Sequence, residues 1–89
     1  MKTLSQLKRD IERGTNILTI TNECKPDTQN TMRTVSYVDT TGFYLKDLRD
    51  ETNKKGSFCG FPKAKHLKYT NDTFKIDDGH GVRTYQIIN

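Results

Sequence analysis

Eighty-nine residues, 31% hydrophobic and 29% charged, make one domain with room for a single core, because folding at this size hides only about 60–65% of the surface that the unfolded chain exposes. Apolar residues never run together far enough to cross a membrane and nothing leader-like opens the chain, so a cytoplasmic protein is expected. The net charge of +4 is uneven: residues 52–76 hold Lys54, Lys55, Lys63, Lys65, Lys68 and Lys75 against Asp72 alone, whereas residues 14–51 carry a surplus of acids.

Residues 3–14, TLSQLKRDIERG, read as a short amphipathic helix. Thr3 and Gln6 have the spacing of a capping box, Gly14 is placed as a left-handed stop, and Leu4, Leu7 and Ile11 form one apolar stripe. From Thr15 the period changes from 3.6 to 2 and β-branched and aromatic residues take over. Candidate strands follow at 16–22, 32–38, 42–47, 57–61, 66–70, 73–76 and 82–88. Turn residues fill the junctions, at Lys25-Pro26-Asp27, Asp39 to Gly42, Asn71-Asp72 and Asp77 to Gly81. Between them lies RDETNKKG, Arg49 to Gly56, a polar run that reads as a mobile or contact loop.

A meander of such short strands must hide its edges and cover its apolar face. The expected class is therefore α+β, with one short N-terminal helix packed on or plugging a strongly curved antiparallel sheet of about five to six strands, closed into a small barrel or half-barrel. A strand such as 82–88, if left at an edge, is available to a second copy.

Cys24 and Cys59 lie far apart in the chain with no second cysteine near either, which excludes a CxxC redox or zinc pair and gives no disulfide framework. Reduced thiols are expected, with Cys59 as a small core residue between Phe58 and Phe61. Together with His66 and His80 these cysteines supply zinc-ligand types, but their spacings match no compact finger. His66, Asp77, Asp78 and His80 contain the residue types of a general base or a cation site. The same Asp-Asp-Gly-His-Gly is what a tight turn requires, and no P-loop, GxGxxG, HExxH or GxSxG accompanies it. Neither an enzyme nor a cofactor is expected.

Binding by surface remains. If Asn71 and Asp72 make a two-residue turn, Tyr69 faces Phe74, Leu67 faces Ile76, and Lys68 sits directly opposite Lys75. Like charges so paired are mildly destabilising, and Lys63 and Lys65 precede them on the chain. Four lysines on one face fit a solvated edge, an acidic protein surface or nucleic acid; in the last case Tyr37, Tyr44 or Tyr85 could stack bases if exposed.

With TLSQLKRDIERGT at the start, RTVSYVDTTGFYL in the middle, FPKAKHLKYTNDTFKI late and RTYQI at the end, the chain resembles a group of small proteins encoded by phages and other mobile elements of Gram-positive, low-GC bacteria. The resemblance implies an accessory or anti-defence factor, including an anti-CRISPR protein that binds an effector nuclease. Such nucleases have basic channels that acidic mimics of nucleic acid occupy, so a basic inhibitor is expected to grip an acidic or mixed surface, or the guide-bound complex with its RNA. The expectation is a non-enzymatic inhibitor or modulator of a host protein, acting through Lys63, Lys65, Lys68 and Lys75 and through Arg49, Lys54 and Lys55. The alternative is a small nucleic-acid-binding β-barrel used in phage replication or gene regulation.

Overall fold

A computed structural model describes residues 1–52 and 54–88; Asn53, in the expected contact loop, and Asn89 lie outside the described residues. The helix α1 starts where the capping box puts it. Thr3 Oγ1 accepts from the Gln6 amide at 3.2 Å while Gln6 Oε1 accepts from the Thr3 amide at 2.8 Å, and the helix runs over Leu4–Asp10. It ends earlier than Gly14. Ile11 is already extended, because Thr15 Oγ1 takes the Glu12 amide at 3.2 Å and the Gly14 amide turns to Val35 C=O at 2.8 Å. A helix of seven residues is too short to stand alone in water. It is held by Leu7 and Ile11, both buried against the sheet, each worth about 1.5–3 kcal/mol.

Seven strands follow: β1 (Asn16–Asn22), β2 (Thr31–Val38), β3 (Gly42–Asp47), β4 (Ser57–Gly60), β5 (Leu67–Thr70), β6 (Thr73–Ile76) and β7 (Arg83–Ile87). All pairings are antiparallel, and the spatial order is β4-β3-β2-β1-β7-β6-β5. The expected class, one short helix on an antiparallel sheet, is what the chain adopts. Three details differ. The sheet has seven strands rather than five or six; it is open rather than a closed barrel; and it is two meanders, β1 to β4 and β5 to β7, joined through β1 and β7. Strand β7 is therefore central, paired with β1 and β6, and the segment 82–88 offers no edge to a second copy. The edges are β4 and β5, and the Lys2 amide caps part of the latter by donating to Tyr69 C=O at 2.8 Å.

The sheet is curled, and the linker between its edges shows why it must be. Only residues 61–66 join β4 to β5, a span of at most about 25 Å, shortened further by a 3₁₀ turn at Ala64–His66. Seven flat strands would put those edges about 29 Å apart. Consistent with the curl, the Phe43 and Phe74 rings, from strands four places apart in the sheet, meet with centroids 6.4 Å apart. Register shifts between Thr19 and Thr21 and between Val35 and Tyr37 add local twist and bend.

The concave side holds the core: Ile17, Val35, Phe43, Leu45, Tyr69, Phe74, Ile76 and Tyr85, closed at one end by Leu7 and Ile11. Tyr69 Oη donates to Asp10 Oδ2 at 2.6 Å and so ties the end of α1 to strand β5. No helix among the described residues is long and apolar enough to cross a membrane.

Candidate functional site

The β5–β6 hairpin has the register that its turn residues dictate. Asn71 takes a left-handed φ of 56°, Thr70 pairs with Thr73, Tyr69 with Phe74, Lys68 with Lys75 and Leu67 with Ile76. Period-2 alternation sends Tyr69, Phe74 and Ile76 into the core and Lys68 and Lys75 to the other face. The turn is fastened to β7, since Asp72 C=O accepts from the Ile87 amide at 2.7 Å and Asp72 Oδ2 from Gln86 Nε2 at 3.1 Å. That Gln86 bond, foremost, holds the Asp72 carboxyl below the usual range.

Lys68 and Lys75 share a depression of about 160 Å³ with Lys65, His66 and Asp77. The Asp77 amide donates to His66 C=O at 3.0 Å, extending the hairpin by one pair. Lys63, expected beside them, does not line the depression. Asp78 and His80 are turned to other work: Asp78 Oδ2 lies 2.7 Å from Arg83 Nη2, and Asp78 Oδ1 accepts the His80 amide at 3.1 Å. These bonds, Arg83 first, lower the Asp78 carboxyl and shape a turn whose Gly79 has φ +87°. Among the described residues no group of three or more His, Cys, Asp or Glu converges to hold a metal.

A second surface lies on the convex side of β2, β3 and β4. Tyr37 pairs with Tyr44 and Tyr44 with Phe58, so three aromatic rings form a row across three strands. Their centroids are 5.9 and 5.1 Å apart in sequence along the row. Tyr37 and Phe58 are 42% and 48% exposed, which leaves large apolar area in water. The Phe58 ring lies over Gly42 and Gly60, where the strands carry no side chain of their own. Lys55 Nζ sits 4.0 Å from the Tyr37 centroid and 5.4 Å from that of Tyr44, close enough for cation–π attraction. A hydrogen bond from Ser36 Oγ to Lys55 C=O holds that loop residue in place.

Beside the row runs a broad groove of about 440 Å³, lined by Arg13, Lys46, Lys54, Lys55 and Tyr37 among others, with no carboxylate in its lining among the described residues. Two of the loop residues expected to bind, Lys54 and Lys55, are thus brought together, whereas Arg49 lies outside the groove with its amide bonded to Asp47 Oδ1 at 2.8 Å. Arg13 and Lys46 were not legible as part of it. Arg13 comes from the turn after α1, which lies beside β2 because the β1–β2 ladder runs on past Asn16: the Gly14 amide donates to Val35 C=O and the Val35 amide to Thr15 C=O, both at 2.8 Å. Of the tyrosines considered for stacking, Tyr85 is in the core; Tyr37 and Tyr44 are on the convex face.

The thiols of Cys24 and Cys59 are not bonded to each other. Cys24 Sγ donates to His80 C=O at 3.2 Å, while burial pushes the Cys59 thiol up, against the pull of Arg33. No protein-family model, curated protein or solved structure matches the chain.

Proposed function

We propose that the chain is a non-enzymatic binding protein, encoded by a phage or related mobile element, that inhibits or modulates a host protein in the bacterial cytoplasm. The preferred target is a CRISPR effector nuclease or its guide-bound complex. The observation that carries the reading is the Lys68–Lys75 pair. Two ammonium groups are held opposite each other on an outer face beside Lys65, an arrangement that costs stability and that an acidic surface would offset. Lysine supplies charge without a planar fork, so these residues steer an encounter and fix its register more than they set its strength.

Cleavage by a purified, guide-loaded effector nuclease of the host tests this. Increasing amounts of the protein are expected to suppress cleavage, and the double charge reversal K68E/K75E to weaken suppression at least about tenfold while the chain stays folded. Undiminished cleavage at large excess removes the nuclease as target, and unchanged potency of the double variant removes the hairpin from the interface.

The aromatic row favours a second reading, contact with single-stranded nucleic acid. Exposed rings beside a cationic groove are how sequence-tolerant binders hold bases and phosphates together. This reading expects binding of labelled oligonucleotides that falls by orders of magnitude between about 50 and 200 mM salt, and that is lost in Y37A/F58A.

A further inference from the structure

At the end of the concave side away from α1, the core gives way to charge. Arg33 stands opposite the inward-facing Ile17 on β1, and Arg83 opposite Asn22 and Ile76, all of which are buried. Two guanidinium groups therefore enter the mouth of the curled sheet from β2 and β7. They line a cavity of about 110 Å³ together with Lys25, Asn22, Ser57, Cys59 and Tyr85. Among the described residues no Asp or Glu lines it.

The cations there are incompletely answered. Arg33 Nη2 donates to Thr19 Oγ1 at 3.1 Å, but among the described residues the Nε–H of Arg33 and that of Arg83 are both buried without a hydrogen-bond partner. Asp78 pairs with Arg83 from outside the cavity at 2.7 Å. Asp47 stands across from Arg33 in the β2–β3 register, yet it makes no ion pair with Arg33 among the described residues; its Oδ1 accepts the Arg49 amide. A buried guanidinium donor left without an acceptor costs free energy that a bound acceptor restores. The rim is meanwhile built: Asn22 Oδ1 accepts the Cys24 and Lys25 amides at 3.0 and 2.9 Å, which fixes the turn carrying Lys25.

We propose that this mouth is a binding site for a tetrahedral oxyanion, specifically a phosphate group, held by the guanidinium groups of Arg33 and Arg83 with Lys25 at the rim. The planar fork of arginine matches phosphate oxygens. Three cations facing one counter-charge favour a dianion over a carboxylate. The volume is several times the roughly 30 Å³ that one water takes up, which admits phosphate and keeps a larger head group partly outside. Free inorganic phosphate and the terminal phosphate of a nucleotide share this chemistry. None of the hairpin lysines lines the cavity, whereas Phe58 of the aromatic row does.

The test is an NMR titration of the arginine Nε–Hε signals with inorganic phosphate at constant ionic strength. Saturable shifts of the Arg33 and Arg83 signals are expected, with affinity at least about tenfold lower in R33Q, the loss of one charge-assisted contact, and unchanged in K68Q/K75Q. Shifts that grow linearly without saturating, or saturation that survives R33Q, overturn the proposal. Should R33Q not fold, the wild-type arginine signals alone decide. A nucleoside monophosphate run in parallel identifies the source: tighter saturation marks an esterified phosphate, and equal saturation a free one.

Discussion

Single residues show how much of this chain depends on contacts distant in sequence. Gly56 has φ +94°, and a Cβ there would lie 2.2 Å from Leu45 C=O, whereas Gly14, at φ +92°, has nothing within 4 Å of such an atom. Both substitutions by alanine incur left-handed strain of about 1–3 kcal/mol, but only Gly56→Ala must also push a strand backbone aside. Denaturant melts are expected to rank Gly56→Ala well below Gly14→Ala; equal losses would show that β3 gives way freely. Tyr69 and Tyr85 supply a pH dependence. Burial, then the Asp10 carboxylate, pushes the Tyr69 phenol up, and burial does the same for Tyr85. The folded chain thus keeps protons that the unfolded chain releases near pH 10, so stability is untouched below about pH 10 and falls as pH rises above it. Tyr69→Phe is expected to remove its share of that alkaline loss, measured by melts from pH 8 to about 11.5. Nothing in the sequence announced the Asp10–Tyr69 bond, which joins positions 59 apart.

At the scale of elements, what was legible is what is local. Thr3 and Gln6 mark the helix start because a capping box needs only four residues, and Asn71-Asp72 fixes the hairpin register because a two-residue turn leaves no freedom to slip. The helix end was misplaced because its termination is set by Thr15 and Val35 rather than by Gly14. The lysine residues of the hairpin could be placed on one face from alternation alone, and the same register puts Asp77 opposite His66, but Lys63 drops away from the depression that the others line. The like-charged pair leads to an opposed pair of outcomes. Lys75→Glu alone converts repulsion across the strands into attraction and is expected to raise stability by about 0.2–1 kcal/mol, while weakening the partner complex. Gain in stability without loss of binding would mean that the lysine pair serves solubility.

For the whole molecule, the order of strands was the part that local reasoning could not reach. Adjacent hairpins follow from turns, but no turn joins β1 to β7, and once those two pair, the six-residue link between β4 and β5 obliges the sheet to curl. Pairings so distant in sequence place folding in the millisecond-to-second range of sheet proteins rather than that of helical bundles. A chain stopped after Asp77 is expected to lose cooperative unfolding altogether, because it deprives both β1 and β6 of a partner at the centre of the sheet; a sharp melt in that variant would show that β1 to β4 fold as a unit without β7. The central seat of β7 also bears on how the protein is made. During synthesis β1 emerges first and waits, one backbone edge unpaired, while the ribosome adds the roughly 60 residues that separate it from β7, a delay of about 3–12 s at ordinary elongation rates. Throughout that interval neighbouring nascent chains on the same message each present the same open edge, so crowded polysomes, not the finished protein, are where this sheet is most exposed to aggregation.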